Sequence, residues 1–523
     1  MAKHDFIVIG GGHNGLIAAG YLGKAGFDVC VVEANDEFGG GTRSGEVCAP
    51  GYISDLGGMI HGMISRTPLI MNDELDLQGK YGLKYIRPDA LCCTIFDDGT
   101  NLVLNHSIDQ TVKNIAKFSQ KDAEMYPRFI EYMGNMIKVA GIGANTPPPK
   151  WGVMQSALDS SPEGRDFLVT INSSAQDIVE QWFESPQLRI TLTRWCTEMM
   201  INPTAVGTAT LLYFVLYIHQ LVPPFPEGGS LRMVEALKAC CSDYGVTLKT
   251  NASVVKVKVD AGTAKGVVLE SGEEIAASKA VICTANVKDL VLKWLGDEAP
   301  ANLVRQARNL KSAEFVPFNM SVALKKVPDF KTGNEVKAAY CIECAPLEEE
   351  YLRTFNEYRF GKFEPNMPLI TMPCLWDSTR CPEGHSVVNI YNYAPANLYG
   401  DYNNWNIYKE EMADKAWAFT KDLFTNITDD DLIGDRWVFT PVDYEKWNPA
   451  FHKGDITHIG LQPSQMYGFR PFPNSHNYKV ALDNLYVLGS CSHPGGGIAG
   501  AARAGVQAVL DDFDVNFNKL VKK

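Results

Sequence analysis

The chain has 523 residues, of which 46% are hydrophobic and 21% charged, with a formal net charge of −13 and a pI near 5.3. That length supports two or three domains with large buried cores, and the composition is that of an ordinary globular protein. The acidic balance disfavours nucleic acid or an anionic bilayer as the partner.

The first stretch is Asp5-Phe-Ile-Val-Ile-Gly-Gly-Gly-His-Asn-Gly-Leu16, followed by an alanine-rich segment and a second apolar run, Val29 to Val32, that ends in Glu33. Strand, glycine turn, helix, strand and acid in this order form a dinucleotide-binding unit. Gly10 permits the tight turn, Gly12 lets backbone approach a pyrophosphate, and Gly15 lets the helix pack on the strand. Asn14 lies inside the same loop. The helix then points free N–H groups at phosphate. Glu33 is placed to accept hydrogen bonds from ribose hydroxyls, and its charge repels a 2′-phosphate. Because this unit starts at residue 5, we expect no secretory leader and a cytoplasmic location.

Phe38-Gly-Gly-Gly-Thr-Arg43 follows. Gly40 and Gly41 supply flexible backbone, and Arg43 a fixed positive charge, close to the expected pyrophosphate. In Asp55-Leu-Gly-Gly-Met-Ile-His61, the glycine pair ending at Gly58 suits close approach to a flat ring, which makes His61 a candidate wall of the active site. A hydrogen-bonded structural histidine is the alternative.

Residues 70 to 225 read as mainly helical, with apolar spacing of three and four over Ile108 to Phe118, Glu124 to Ile142 and Ile178 to Trp195. Ala144 to Lys150 reads as a stiff proline loop. The apolar run Ala205 to Leu221 is short for a spanning helix and carries His219, so it reads as a buried or cavity-lining helix; a peripheral membrane contact is the less favoured reading. After Pro226-Glu-Gly-Gly-Ser230 the pattern returns to α/β. Short strands are expected at Val246 to Leu248 and Ser253 to Val259, with hairpins near Asp260 and Ser271, and a strand at Lys279 to Asn286. The nucleotide domain is therefore discontinuous. Residues 301 to 470 mix strands (Phe318 to Leu324, Ser386 to Tyr393) with helices such as Lys409 to Phe424, and their many aromatics read as core.

The closing stretch has a strand at Leu485 to Gly489, a loop Ser-Cys-Ser-His-Pro-Gly-Gly-Gly-Ile-Ala-Gly500, and a helix from Ala501 to Phe513 with Arg503 in its first turn. Such a loop aims a positive helix end at whatever lies above the sheet. The thirteen cysteines read as reduced thiols. Cys341-Ile-Glu-Cys344 has redox spacing but sits in a strand-like run, and no second pair completes a metal site, so no metal is expected.

These motifs resemble the phytoene-desaturase-like FAD-dependent oxidoreductases, relatives of the amine oxidases and the GDP dissociation inhibitors. The resemblance spans nearly the whole chain and rests on Gly10 to Leu16, Phe38 to Arg43, Asp55 to Gly58, Pro226 to Gly229, Gly468-Phe-Arg-Pro471 and Gly489 to Gly500. It implies an α/β fold: a discontinuous Rossmann-type FAD-binding domain (1–70, 225–300 and 471–523) with an inserted α+β substrate domain and helical cap (71–224 and 301–470). It also implies a tightly held FAD, with Gly10, Gly12, Gly15 and Arg43 around the pyrophosphate, Glu33 at the ribose and the Val254 backbone at adenine. Gly489, Gly496, Gly497 and Ile498 would lie beside pyrophosphate, ribityl chain and ring. Some amine oxidases attach flavin through a cysteine of this loop; Cys491 lies outside their motif, so non-covalent FAD is expected.

The expected reaction is desaturation of a small to medium, largely apolar molecule by hydride transfer to flavin N5, with oxygen, a quinone or another protein as electron acceptor. His61, then His493, are the candidate polar groups facing the ring. C–N oxidation is the alternative, although Phe315 to Leu324 lacks the lysine that amine oxidases often carry near N5. A non-catalytic binder of the GDP dissociation inhibitor type is the second alternative.

Overall fold

Strand Ala2–Ile9 is buried on both faces from Phe6 onward, which is why its sequence is continuously apolar rather than alternating. Phe6 and Val8 join the core beneath helix His13–Lys24, while Ile7 and Ile9 join the core on the opposite face. The computed structural model describes residues 2–140, 145–480 and 482–522.

Ala2–Ile9 lies at the centre of a seven-stranded sheet, in parallel pairing with Glu274–Cys283 on one side and Val29–Val32 on the other. Thr247–Lys249 extends the sheet beyond Val29–Val32, and Leu485–Val487 adds in parallel to the end of Glu274–Cys283. The hairpin Val254–Asp260 and Thr263–Leu269 completes it with antiparallel pairing. Strands therefore come from the beginning, middle and end of the chain, the discontinuous Rossmann arrangement expected.

The second seven-stranded sheet has the order Leu432–Phe439, Val316–Leu324, Ser386–Ala394, Leu369–Thr371, Ala339–Ala345, Ala90–Phe96, Asn101–Asn105. Two of these strands correct the helical reading of residues 70 to 225. Ala90–Phe96 is buried at every position, so its side chains show no alternation, and periodicity alone does not separate such a run from a buried helix.

The helices over this sheet also differ in detail. The single helix expected at Ile178 to Trp195 is two, Ala175–Trp182 and Pro186–Cys196. Pro186 has no N–H to continue the first and starts the second in the first-turn position where that loss is harmless. Gln120–Ala140 forms as one helix, while Gly141 and Ile142 of that expectation, and Ala144 of the proline loop, lie outside the described residues. Ala205 to Leu221 is a 3-10 turn, Thr208–Tyr213, followed by helix Phe214–Gln220. Arg66 caps that helix by donating to the Tyr217 and Leu221 carbonyls at 2.9 and 2.6 Å. Among the described residues no helix is long and apolar enough to cross a membrane.

Candidate active site

One cavity of about 480 Å³ runs from the ends of the parallel strands to the second sheet. Its first end is built largely of backbone. Gly10 has φ +101°, and a Cβ placed on Gly15 would stand 1.9 Å from the Gly10 carbonyl oxygen, so the turn and the helix that follows fit only without a side chain at residue 15. Glu33 accepts the Gly11 and Asn35 backbone N–H groups at 2.7 and 2.9 Å and lines the cavity. Each of its carboxylate oxygens keeps a further lone pair for a ligand hydroxyl.

The glycine loop and the closing helix are tied by Asn14, whose Oδ1 accepts the Ala502 N–H at 3.1 Å. Two neighbouring helix N-termini are thereby held in one place. Gly10, Gly12, Asn14, Glu33, Gly40, Gly41, Gly58, Val254, Gly497 and Ile498 all line the cavity, as expected of a dinucleotide cradle. Gly15, Gly489 and Gly496 lie outside its lining. Gly489 packs against Asn14, and a Cβ on Gly496 would sit 3.0 Å from Thr457. Arg43 is also outside the lining, because its guanidinium donates to the Glu37 carbonyl at 2.8 Å and lies 5.4 Å from the Trp447 ring centre.

The other glycine motifs are held by buried charge. Arg380 is wholly buried and donates to Asp55 at 3.1 Å and Asp377 at 2.9 Å. Asp55 in turn accepts the Ser230 N–H and Asp377 the Gly228 N–H, at 2.9 and 2.7 Å. This network fixes Asp55 to Gly58 against Pro226 to Ser230. Arg470, also fully buried, donates to the carbonyls of Ser490, Gly460, Gln465 and Ile459 and so pins the C-terminal loop. Burial lowers its pKa to about 10.

Neither catalytic candidate lines the cavity. His61 is completely buried, with Nδ1 2.9 Å from the Tyr85 hydroxyl and Nε2 3.3 Å from Ser230 Oγ, which itself donates to the Gly58 carbonyl at 2.5 Å. Burial pushes its pKa down to about 3, so the ring is neutral and braces the Gly58 loop from behind. The expectation placed His61 facing the ring; the structure places it off the cavity lining. His493 is buried beside Tyr467, ring centres 6.3 Å apart, and it too stands off the lining.

The histidines that do line the cavity are His13 and His458. His13 Nδ1 lies 3.0 Å from Thr42 Oγ1 and its Nε2 3.0 Å from Asn14 Nδ2, and burial lowers its pKa to about 4. His458 Nδ1 lies 3.8 Å from Cys491 Sγ, and burial lowers its pKa to about 3. The signal for His13 was its place inside the glycine loop. For His458 no local signal exists.

At its far end the cavity is walled by Met59, Met63, Met199, Phe214, Tyr217, Leu369 and Ile456, with Trp195, Glu198 and Tyr391 among them. Glu198 belongs to a buried polar group. The Tyr393 hydroxyl donates to its Oε1, and Arg194 lies 4.5 Å from the Tyr393 ring centre. Arg194 donates to Thr197 Oγ1 and the Met367 carbonyl at 3.0 and 2.8 Å. Glu343 is completely buried, with no hydrogen-bond partner for either carboxyl oxygen among the described residues, and desolvation pushes its pKa up to about 8. Desolvation also raises that of Glu198, against the pull of Arg194 and Tyr393. None of these residues stood out in the sequence, because they lie in separate helices and strands.

Two relatives span almost the whole chain. A rat pyridine nucleotide-disulfide oxidoreductase domain-containing protein 2 is 27% identical, covering 96% of this chain and 92% of the relative. The lycopene-forming phytoene desaturase of Pantoea ananas is 26% identical, covering 97% and 99%. An oxidoreductase from Methanosarcina mazei shares the fold with a TM-score of 0.64 at 15% identity, covering 97% of this chain and 100% of the other. The resemblance to phytoene desaturases read from the motifs therefore holds over the full length. The model of the flavin containing amine oxidoreductases matches residues 15–510, so the chain belongs to that family and its cofactor is FAD.

Proposed function

We propose that the protein dehydrogenates a small to medium, largely apolar organic molecule, leaving a C=C bond. The observation that carries this reading is the continuity of the cavity, with a glycine-rich cradle at one end and a mainly aliphatic and aromatic chamber at the other. Bound FAD supplies the hydride acceptor. The chain's own part is to orient and enclose: Glu33 and the backbone of Gly10 to Gly12 hold the adenosine and phosphate portion, the buried network around Arg380 fixes the Gly58 loop, and the apolar chamber excludes water from the substrate. His61 and His493 have no catalytic part in this proposal. Cys491 is wholly buried, off the cavity lining, with its sulfur near the Val287 N–H and His458, which supports non-covalent FAD. The domain division 1–70, 225–300 and 471–523 against 71–224 and 301–470 belongs to the same proposal.

Formation of C=N is disfavoured by the strand Val316–Leu324, which is fully buried and contains no lysine. The test is anaerobic mixing of the flavoprotein with a panel of cyclic hydrocarbons, ketones, isoprenoids and amines, followed by reoxidation with oxygen, a quinone or an electron-carrier protein. Bleaching of the flavin by apolar members, with an unsaturated product, is expected. Bleaching by amines alone would establish the C=N reaction instead. A protein that takes up no flavin would be a binder of the GDP dissociation inhibitor type.

A further inference from the structure

The chamber is apolar apart from a few polar groups, and Glu198 is the one carboxylate at its far end among the described residues. It sits in the turn Thr197–Met199, directly after helix Pro186–Cys196, and is half-buried, with its accessible part on the cavity it lines. Its Oε1 is taken by the Tyr393 hydroxyl, whereas its Oε2 has no hydrogen-bond partner among the described residues. One helical turn earlier, Trp195 also lines the cavity, while its indole N–H is enclosed and has no acceptor among the described residues. An unused carboxylate oxygen on an apolar chamber is costly unless a ligand answers it, since a buried polar group without a partner loses about 1–3 kcal/mol.

We propose that Glu198 is the specificity-determining residue of the chamber, accepting through Oε2 the hydrogen bond of a single hydroxyl on an otherwise apolar substrate. This inference rests on the dehydrogenase reading above and names its substrate class as an alicyclic or terpenoid alcohol. A hydroxyl answers Oε2 by donating to it. An ammonium would also donate to Glu198, but it would meet the positive field of Arg194, which lies behind Tyr393. Arg194 is held there by Thr197 and Met367 and has no carboxylate within ion-pair distance among the described residues, so its charge is not cancelled by a direct contact.

The test uses one carbon skeleton with three head groups, p-menthane, menthol and menthylamine, in equilibrium dialysis against the FAD-loaded protein. Menthol is expected to bind at least about tenfold more tightly than p-menthane, the factor that one hydrogen bond to a carboxylate supplies. Glu198→Ala should reduce menthol to the affinity of p-menthane and leave p-menthane unchanged. Glu198→Gln keeps the oxygen that accepts from Tyr393 but presents an amide N–H2 in place of Oε2, so it should lose most of the menthol preference while keeping the fold, even if the alanine variant folds poorly. Equal binding of the three compounds, no binding of any, tighter binding of menthylamine than menthol, or a preference that survives in Glu198→Ala would overturn the inference. If menthol binding depends on Glu198 while no apolar compound bleaches the flavin, the dehydrogenase reading fails and the recognition of the hydroxyl stands. If hydrocarbons bleach the flavin and Glu198→Ala changes nothing, the reverse holds.

Discussion

At the strand end of the cavity the wall is mainly backbone, set by glycines, one carboxylate on two N–H groups, and neutral histidines. At the far end the wall is side chain, assembled from a helix near residue 195, a loop near residue 60 and strands near residues 341, 370 and 391. The first end presents fixed dipoles and can hold the same anionic ligand in every relative that keeps the loop. The second end offers shape and a few polar groups, and any substitution there changes what fits. The two ends of the cavity are thus separated in space and in construction.

The largest expected effect comes from the backbone end. Gly15→Val places atoms where only 1.9 Å separates a Cβ from the Gly10 oxygen, and the purified protein should contain no bound flavin. Normal flavin content, read from the visible spectrum, would show that the turn is not the cradle. Next is the pin beneath the C-terminal loop: Arg470→Met leaves several buried carbonyls without a donor and should cost about 3–5 kcal/mol in urea denaturation. A cost below about 1 kcal/mol would mean that the loop holds itself. Glu33→Ala should weaken FAD retention about 10- to 100-fold, measured as flavin fluorescence released on dilution, without loss of the fold.

The remaining effects separate the two ends by pH. His13, His61 and His458 have folded pKa values of about 4, 3 and 3, below the ordinary 6.5. The unfolded chain therefore takes up protons first, and their contribution, complete above about pH 6.5, is lost as pH falls towards 4. Glu343 has the opposite sign. Its folded pKa, about 8, exceeds the ordinary 4.5, so its contribution is complete below about pH 4.5 and is lost as pH rises towards 8. Glu343→Gln should raise the denaturation midpoint at pH 8 and leave it unchanged at pH 4. An equal shift at both would mean that the carboxyl is not held neutral in the fold.

The strand, turn, helix and acid over residues 5 to 33 were legible because each step is a local demand: Gly10 for a positive φ, Gly15 for close packing, Glu33 at the end of a strand. The same held for the returning strand near residue 280 and the loop before residue 500. Ala90–Phe96 was not legible as a strand, since uniform burial erases the alternation that marks one. For His61, a buried histidine and a cavity histidine carry the same local signature, and only the positions of Tyr85 and Ser230 show that it is hydrogen-bonded behind the lining. Sequence by itself determined the opening turn, the packing glycine and the acid of the dinucleotide cradle, which lie within one βαβ unit and depend on backbone geometry. Tertiary structure alone decided the apolar end of the cavity, because Trp195, Glu198 and Tyr391 come together, with Glu343 buried nearby, only when the helices pack on the second sheet, and the carboxyl charge states follow from the burial this creates.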